Sequence, residues 1–121
     1  MAENGEIMAK NAKVDYDNDN DALFVYTDKK ANDSVELGNY VVDFDIDDKV
    51  SGVEIFDISK MLNLSKHPFN LEHIKDAKLS ASLEKNCIYI LILLKLQVNN
   101  KIVEKELYLS VPRVSKMSVL N

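Results

Sequence analysis

Cys87 to Val98 reads CIYILILLKLQV. Side chains of a strand alternate between two faces, so residues two apart share one. Ile88, Ile90, Ile92, Leu94, Leu96 and Val98 make one face, apolar throughout. Cys87, Tyr89, Leu91 and Leu93 make a second apolar face, until Lys95 and Gln97 return it to water. The run is too short for a membrane helix, which takes about 20 residues. A strand apolar on both faces needs cover on both. Short helices can supply one layer. The other is a second sheet folded back within the chain, or a second copy of the chain, and the pattern leaves both open. Each fully buried Leu or Ile side chain is worth about 1.5–3 kcal/mol, so the cover matters.

The strand belongs to a meander. Upstream, KLSASLE (78–84) alternates, with Leu79, Ala81 and Leu83 opposite Ser80, Ser82 and Glu84. Lys85-Asn86 makes a turn. Downstream, Asn99-Asn100 is a hairpin signal, because Asn tolerates positive φ. A last strand, Ile102 to Val111, stops at Pro112.

A second set of strands precedes it. Ala22 to Thr27 (ALFVYT) is the first, and DKKANDS (28–34) a polar turn. Tyr40 to Ile46 and Val50 to Phe56 form a hairpin around Asp47-Asp48-Lys49. Alternation puts Tyr40, Val42 and Phe44 on one side, with Val41, Asp43 and Asp45 on the other. Val53 and Ile55 likewise oppose Glu54 and Phe56. Asp57 reads as the N-cap of a short helix through Leu62. Pro68 interrupts it, and Asn70 can cap a second short helix with Leu71 and Ile74 on one face. The expected architecture is α+β: two antiparallel three-strand units, in one continuous sheet or two, with one or two short helices packed on one face. Residues 1–13 read as a tail. Residues 14–121 read as one domain, divided into 14–62, a connector 63–76 and the meander 77–121.

The 121-residue length can bury a core without disulfides or metals. Cys87 is the only cysteine, so neither an intramolecular disulfide nor a cysteine zinc site can form. Within its apolar run it reads as a buried, inert thiol. The opening MAENGEIMAKNAK lacks the apolar core of a signal peptide, and the expected location is the cytoplasm. Residues 1–57 carry fifteen carboxylates against five lysines, a net −10, and residues 58–121 ten cations against five carboxylates, a net +5. The acidic half would repel phosphates, so no nucleic-acid partner is expected. The basic half can face an acidic partner, the acidic half of its own chain, or a second copy, and the plainer reading is scattered, solvated charge.

The acidic hairpin is the most suggestive site. Asp43, Asp45, Asp47, Ser51 and Glu54 fall on positions 1, 3, 5, 9 and 12 of a calcium-binding loop. However, Asp48 stands where that loop needs Gly, and the flanks have the period of strands. Two readings remain: a weak cation site at Asp43, Asp45 and Glu54, or an exposed hairpin tip where Asp favours turns. A second series, Asp15, Asp17, Asp19 and Asp21, would share one side if extended. Ordering it would favour a cation or a Lys/Arg partner, and the plainer reading is a solvated turn.

Chemistry beyond this is thin. Asp43, Asp45, Glu54 and Asp57 could pair for acid–base work, but no nucleophile or oxyanion donor accompanies them. His67 and His73 lie six apart across a proline, without a metal-ligand spacing. Ser59 has no base beside it. With three glycines in all, no glycine-built phosphate cradle can form. No catalytic residue and no cofactor are assigned.

Tyr16, Asp17, Asp21, Ala22 and Leu23, followed by Val42, Asp43, Asp45, Gly52, Glu54, Ile55, Asp57 and Ser59, form a pattern. It resembles the DUF2283 family, small archaeal and bacterial domains of unknown function, over roughly residues 14–62. The family usually has Gly after the Asp-rich step, where this chain has Asp47-Asp48-Lys49. The resemblance implies a small α+β fold and no catalytic residues. It does not extend over the C-terminal meander. The residues themselves suggest an interaction module that dimerises through Tyr89, Leu91 and Leu93. The alternative is a cation- or small-ligand-binding protein using Asp43, Asp45 and Glu54.

Overall fold

Burial follows the two-residue period through most of the chain. In Cys87–Val98 the even positions Ile88, Ile90, Ile92, Leu94 and Leu96 are buried, while Tyr89 and Lys95 face outward. The computed structural model describes residues 10–62 and 74–112. Its strands are β1 (Lys10–Asn11), β2 (Lys13–Asp17), β3 (Ala22–Tyr26), β4 (Asp33–Leu37), β5 (Tyr40–Phe44), β6 (Val50–Ile55), β7 (Ile74–Glu84), β8 (Cys87–Val98) and β9 (Lys101–Pro112). Between β6 and β7 lies one helical turn, α1 (Ile58–Met61).

The strands form two antiparallel sheets. One has the order β1-β7-β8-β9 and the other β2-β3-β6-β5-β4. Their inner faces share a core. The five-stranded sheet contributes Leu23, Val25, Val42, Phe44, Val53 and Ile55, and the four-stranded sheet contributes Ala77, Leu79, Ile90, Ile92, Leu107 and Leu109 among others. This is a β-sandwich, with the apolar faces of two sheets closed on each other. The expected α+β architecture of two three-strand units with packed helices is therefore overturned. Helix among the described residues is limited to the four residues of α1, whose Ile58 joins Leu62 in the core.

Two features made the N-terminal unit larger than the pattern suggested. KVDYD (β2), with charges at alternate positions, and DSVEL (β4), with Asp33 and Glu36, are edge strands, and most of their residues are exposed. Weak apolar content hid them. The segment read as a polar turn, 28–34, already contains the start of β4, and residues 10–13, read as tail, are largely strand. With five strands, this sheet covers β8's inner face without a helical layer.

The chain crosses between sheets twice. Lys10 and Asn11 pair with Leu79 and Lys78, Ala12 N donates to Ala77 O at 2.8 Å, and from Lys13 onward the strand pairs with β3. One extended segment thus stitches both sheets at a corner. The second crossing runs through α1. The Tyr40 hydroxyl adds a clasp, donating to the Ser110 carbonyl at 2.6 Å from the facing sheet.

Two helical expectations change. Asp57 makes no side-chain cap; it sits in the left-handed region at φ 57. Ile74 and Lys75 belong to β7 rather than to a second helix. His67, Pro68, Asn70, Leu71 and His73 lie outside the described residues.

Candidate functional site

The acidic hairpin tip is built around one carboxylate. Asp45 is 7% exposed, and its Oδ1 accepts the N–H groups of Asp47 at 2.8 Å and Lys49 at 3.0 Å. Its own N–H donates to Lys49 O, and its carbonyl accepts Asp48 N. This is a side-chain turn mimic of the kind Asp supplies at tight turns. Asp48 takes the left-handed conformation, φ 62, at the position where a calcium loop has Gly.

Asp43 and Glu54 sit on adjacent strands of the outer face. Asp43 pairs with Gly52 and Glu54 with Val41, so the two carboxylates are diagonal neighbours. Asp43 Oδ1 accepts the Ser34 hydroxyl at 2.6 Å. The expected trio is thus divided: Asp43 and Glu54 share a face, while Asp45 folds into the turn. Among the described residues, no group of three or more His, Cys, Asp or Glu gathers where it could hold a metal ion.

The other acidic series is divided too. Asp15 and Asp17 lie on β2, and Asp17 accepts N–H groups from Asp19 and Asn20 in the turn that follows. Asp21 takes φ 50 and points back across the sheet. Its Oδ1 accepts the hydroxyls of Tyr16 at 2.8 Å and Ser59 at 2.9 Å, and its Oδ2 accepts the Ser59 N–H at 3.1 Å. Asp21 O also accepts Ile58 N. Asp21 therefore satisfies the start of α1 from the distant β2–β3 turn, the task expected of Asp57. Burial alone would raise its carboxyl, but the hydrogen bonds from Tyr16 and Ser59, with the charge of Lys60, outweigh it and hold the group below the usual range. Burial and the bond to Asp21 raise the Tyr16 hydroxyl.

Gly52 accommodates an aromatic pair. Phe24 and Tyr26 stack with centroids 4.7 Å apart and planes 23° from parallel. A Cβ on Gly52 would lie 3.1 Å from Phe24 Cε1 and 3.2 Å from Tyr26 Cβ. Burial and the neighbouring Asp15 carboxylate raise the Tyr26 hydroxyl. Most of the residues that carry the resemblance thus hold turns, a helix start and a close backbone approach.

The apolar second face of β8 lies on the outside of the sandwich. Tyr89 is 48% exposed, and Leu91 and Leu93 are half-buried. Tyr108, opposite Leu91 on β9 and 71% exposed, joins them and was missed in the sequence. The alternation of ELYLSV, with Leu107, Leu109 and Val111 inward, could have found it. Tyr108 donates to Glu106 at 2.8 Å. Cys87 is half-buried rather than buried, at the end of the same face.

No helix among the described residues is long and apolar enough to cross a membrane. No solved structure is recognisably similar to the chain. A "Putative hypoxanthine phosphoribosyltransferase" of Methanosarcina mazei is 38% identical over 100 residues, covering 78% of this chain and 76% of that protein. "Uncharacterized protein MJ0789" of Methanocaldococcus jannaschii is 33% identical over 95 residues, covering 78% of this chain and 81% of that protein. Residues 13–59 match the family described as "Protein of unknown function (DUF2283)". These are the strands β2 to β6 and the start of α1, the sheet whose turns and knots the shared residues build, and the chain belongs to the DUF2283 family.

Proposed function

We propose that this chain is a self-associating interaction module of the cytoplasm, acting by binding rather than by turnover, and that the outer face of β7-β8-β9 is its contact surface. One observation carries the reading. Tyr89, Leu91, Leu93 and Tyr108 stand together on that face, on two long neighbouring strands, with Tyr89 and Tyr108 largely open to solvent. Contiguous exposed apolar surface of this kind marks a contact site or an aggregation hazard. Two tyrosines suit a contact site, since each offers a large apolar body with a polar tip. An unpaired cysteine suits a reducing compartment.

Phosphoribosyl transfer, as in the name of the M. mazei relative, is not part of this reading. A purine and its phosphates need an enclosing pocket of about 300 Å³ or more. Among the described residues, a cavity lined by Lys10, Thr27, Lys49 and Leu79 among others is about 30 Å³, room for one water. A cation role for Asp43, Asp45 and Glu54 is supported less well, because Asp45 spends its carboxylate on the turn.

Absolute molar mass by size-exclusion chromatography with light scattering tests the proposal. The expected mass is twice the 13.7 kDa of one chain. A mass of one chain across the accessible concentration range would sink it.

A further inference from the structure

Cross-strand pairing lays out the outer face of the four-stranded sheet in rows. Ser82, Tyr89 and Ser110 form the first row, and Ser80, Leu91 and Tyr108 the second. Lys78, Leu93 and Glu106 form the third, and Asp76, Lys95 and Glu104 the fourth. The third row is polarised, with a lysine on β7, an apolar centre on β8 and a carboxylate on β9. Lys78 and Glu106 are two strands apart, about 10 Å, and they form no ion pair across Leu93. In the fourth row Lys95 already meets Glu104, at 4.0 Å, so that row makes a polar rim.

Resting on the self-association proposed above, we infer that the occupant of this face is the same face of a second copy, related by a two-fold axis running along β8. A two-fold contact must be self-complementary. An axis along β8 exchanges left and right while keeping each row level. It lays Lys78 over Glu106 of the second copy, twice, and Ser80 over Tyr108. Tyr89, Leu91 and Leu93 lie over their own counterparts and make a central apolar seam. An axis across the strands through the Leu91 row, the centre of the apolar seam, would instead stack β7 on β7 and β9 on β9, setting Lys78 over Ser82 and Glu106 over Ser110, with no opposite charges paired. Sheets packed face to face keep their strands within about 30°, which an axis along β8 satisfies.

Edge-to-edge pairing through β9 is the weaker alternative. Lys101, Glu104, Lys105 and Glu106 are charges of the sort that protect an edge, and the Ser110 carbonyl is taken by Tyr40. The seam spans three strands and three rows, on the order of 300 Å² of flat sheet. That size fits a reversible, concentration-dependent pair rather than an obligate one.

Sedimentation velocity of the full chain over a concentration series tests the arrangement. Five proteins are compared: wild type, Leu91→Lys, Lys78→Glu, Glu106→Lys and the double exchange K78E/E106K. The axis along β8 predicts a wild-type dimer, a monomeric Leu91→Lys, and at least tenfold weaker association for each single charge reversal. The double exchange should associate within about threefold of wild type. A wild type monomeric at every concentration overturns both the self-association and this geometry. A Leu91→Lys protein that still dimerises overturns the choice of face. Dimers lost in Leu91→Lys but indifferent to the charge reversals, or not restored by the double exchange, overturn the axis and leave self-association standing.

Discussion

Asp21, in the β2–β3 turn, shows how one side chain can tie two elements together. Its carboxylate takes bonds from Tyr16 on β2 and from the backbone and hydroxyl of Ser59 in α1. Asp21→Ala removes a cap and strands two hydroxyls, and should cost about 1–3 kcal/mol in denaturant unfolding. The pH dependence has a definite sign. The folded carboxyl lies below its ordinary value, so the fold binds this proton more weakly than the unfolded chain does. Its contribution is complete above the unfolded value, about 4, and is lost as the pH falls through the folded value. The stability gap between wild type and Asp21→Ala should be flat from neutral pH down to about 5, then close in acid. The Tyr16 hydroxyl is raised, so its contribution is complete below about 10 and fades only as the pH rises through the folded value. A gap that widens in acid would contradict the network. Gly52 makes a simpler case. Gly52→Ala forces a methyl within 3.3 Å of Val25 O as well as of the Phe24 ring and Tyr26 Cβ, and a loss of about 1–3 kcal/mol is expected in thermal or denaturant melts.

Turns decide which strands pair, and in this chain their signals differ in strength. Asn99 and Asn100 both take positive φ, 50 and 66, and close the β8–β9 hairpin as their residue type foretold. Gly38-Asn39 carries an equal signal that went unread: Gly38 sits at φ 69, and Leu37 pairs directly with Tyr40. Reading it would have revealed β4. At the β7–β8 turn, Lys85 holds φ 54 without the side-chain chemistry that makes this conformation easy. Lys85→Gly should therefore raise stability, by about 0.5–1 kcal/mol, as a higher midpoint at unchanged m-value. The longer strands were legible because β8 is a near-continuous apolar run and β9 alternates from Glu106 to Val111. The helices were overread. Asp57-Ile58-Ser59 carries a cap residue, but Asp57 adopts a left-handed backbone and α1 ends within a turn. A cap supplied from Asp21, 38 residues away from Ser59, leaves no local trace.

At the scale of the molecule, one strand serves two purposes on its two faces. Ile92 is fully buried between the sheets, while its neighbour Leu91 points out beside Tyr108. The pattern of Cys87–Val98 asks for cover on both sides and leaves open whether a second sheet or a second copy provides it; on the inner side the cover is the five-stranded sheet. The answer for the inner side was hidden in β2 and β4, polar edges that complete the five-stranded cover. The candidate carboxylates were legible as residues but not as a constellation, because backbone bonding turned Asp45 away from Asp43 and Glu54. The two faces of β8 make a paired prediction. Ile92→Ala opens a cavity in the shared core and should cost about 2–5 kcal/mol at any protein concentration. Leu91→Ala removes little from the sandwich itself and should change the stability of the isolated chain by under about 1 kcal/mol. What it removes is mass action: a chain that associates only when folded melts higher as its concentration rises. Wild-type Tm should climb with concentration, the Leu91→Ala Tm should be nearly independent of it, and the two should converge on dilution. Differential scanning calorimetry over a hundredfold concentration range makes the comparison. Concentration-independent melting of the wild type would mean that the outer face of β8 has no second copy upon it.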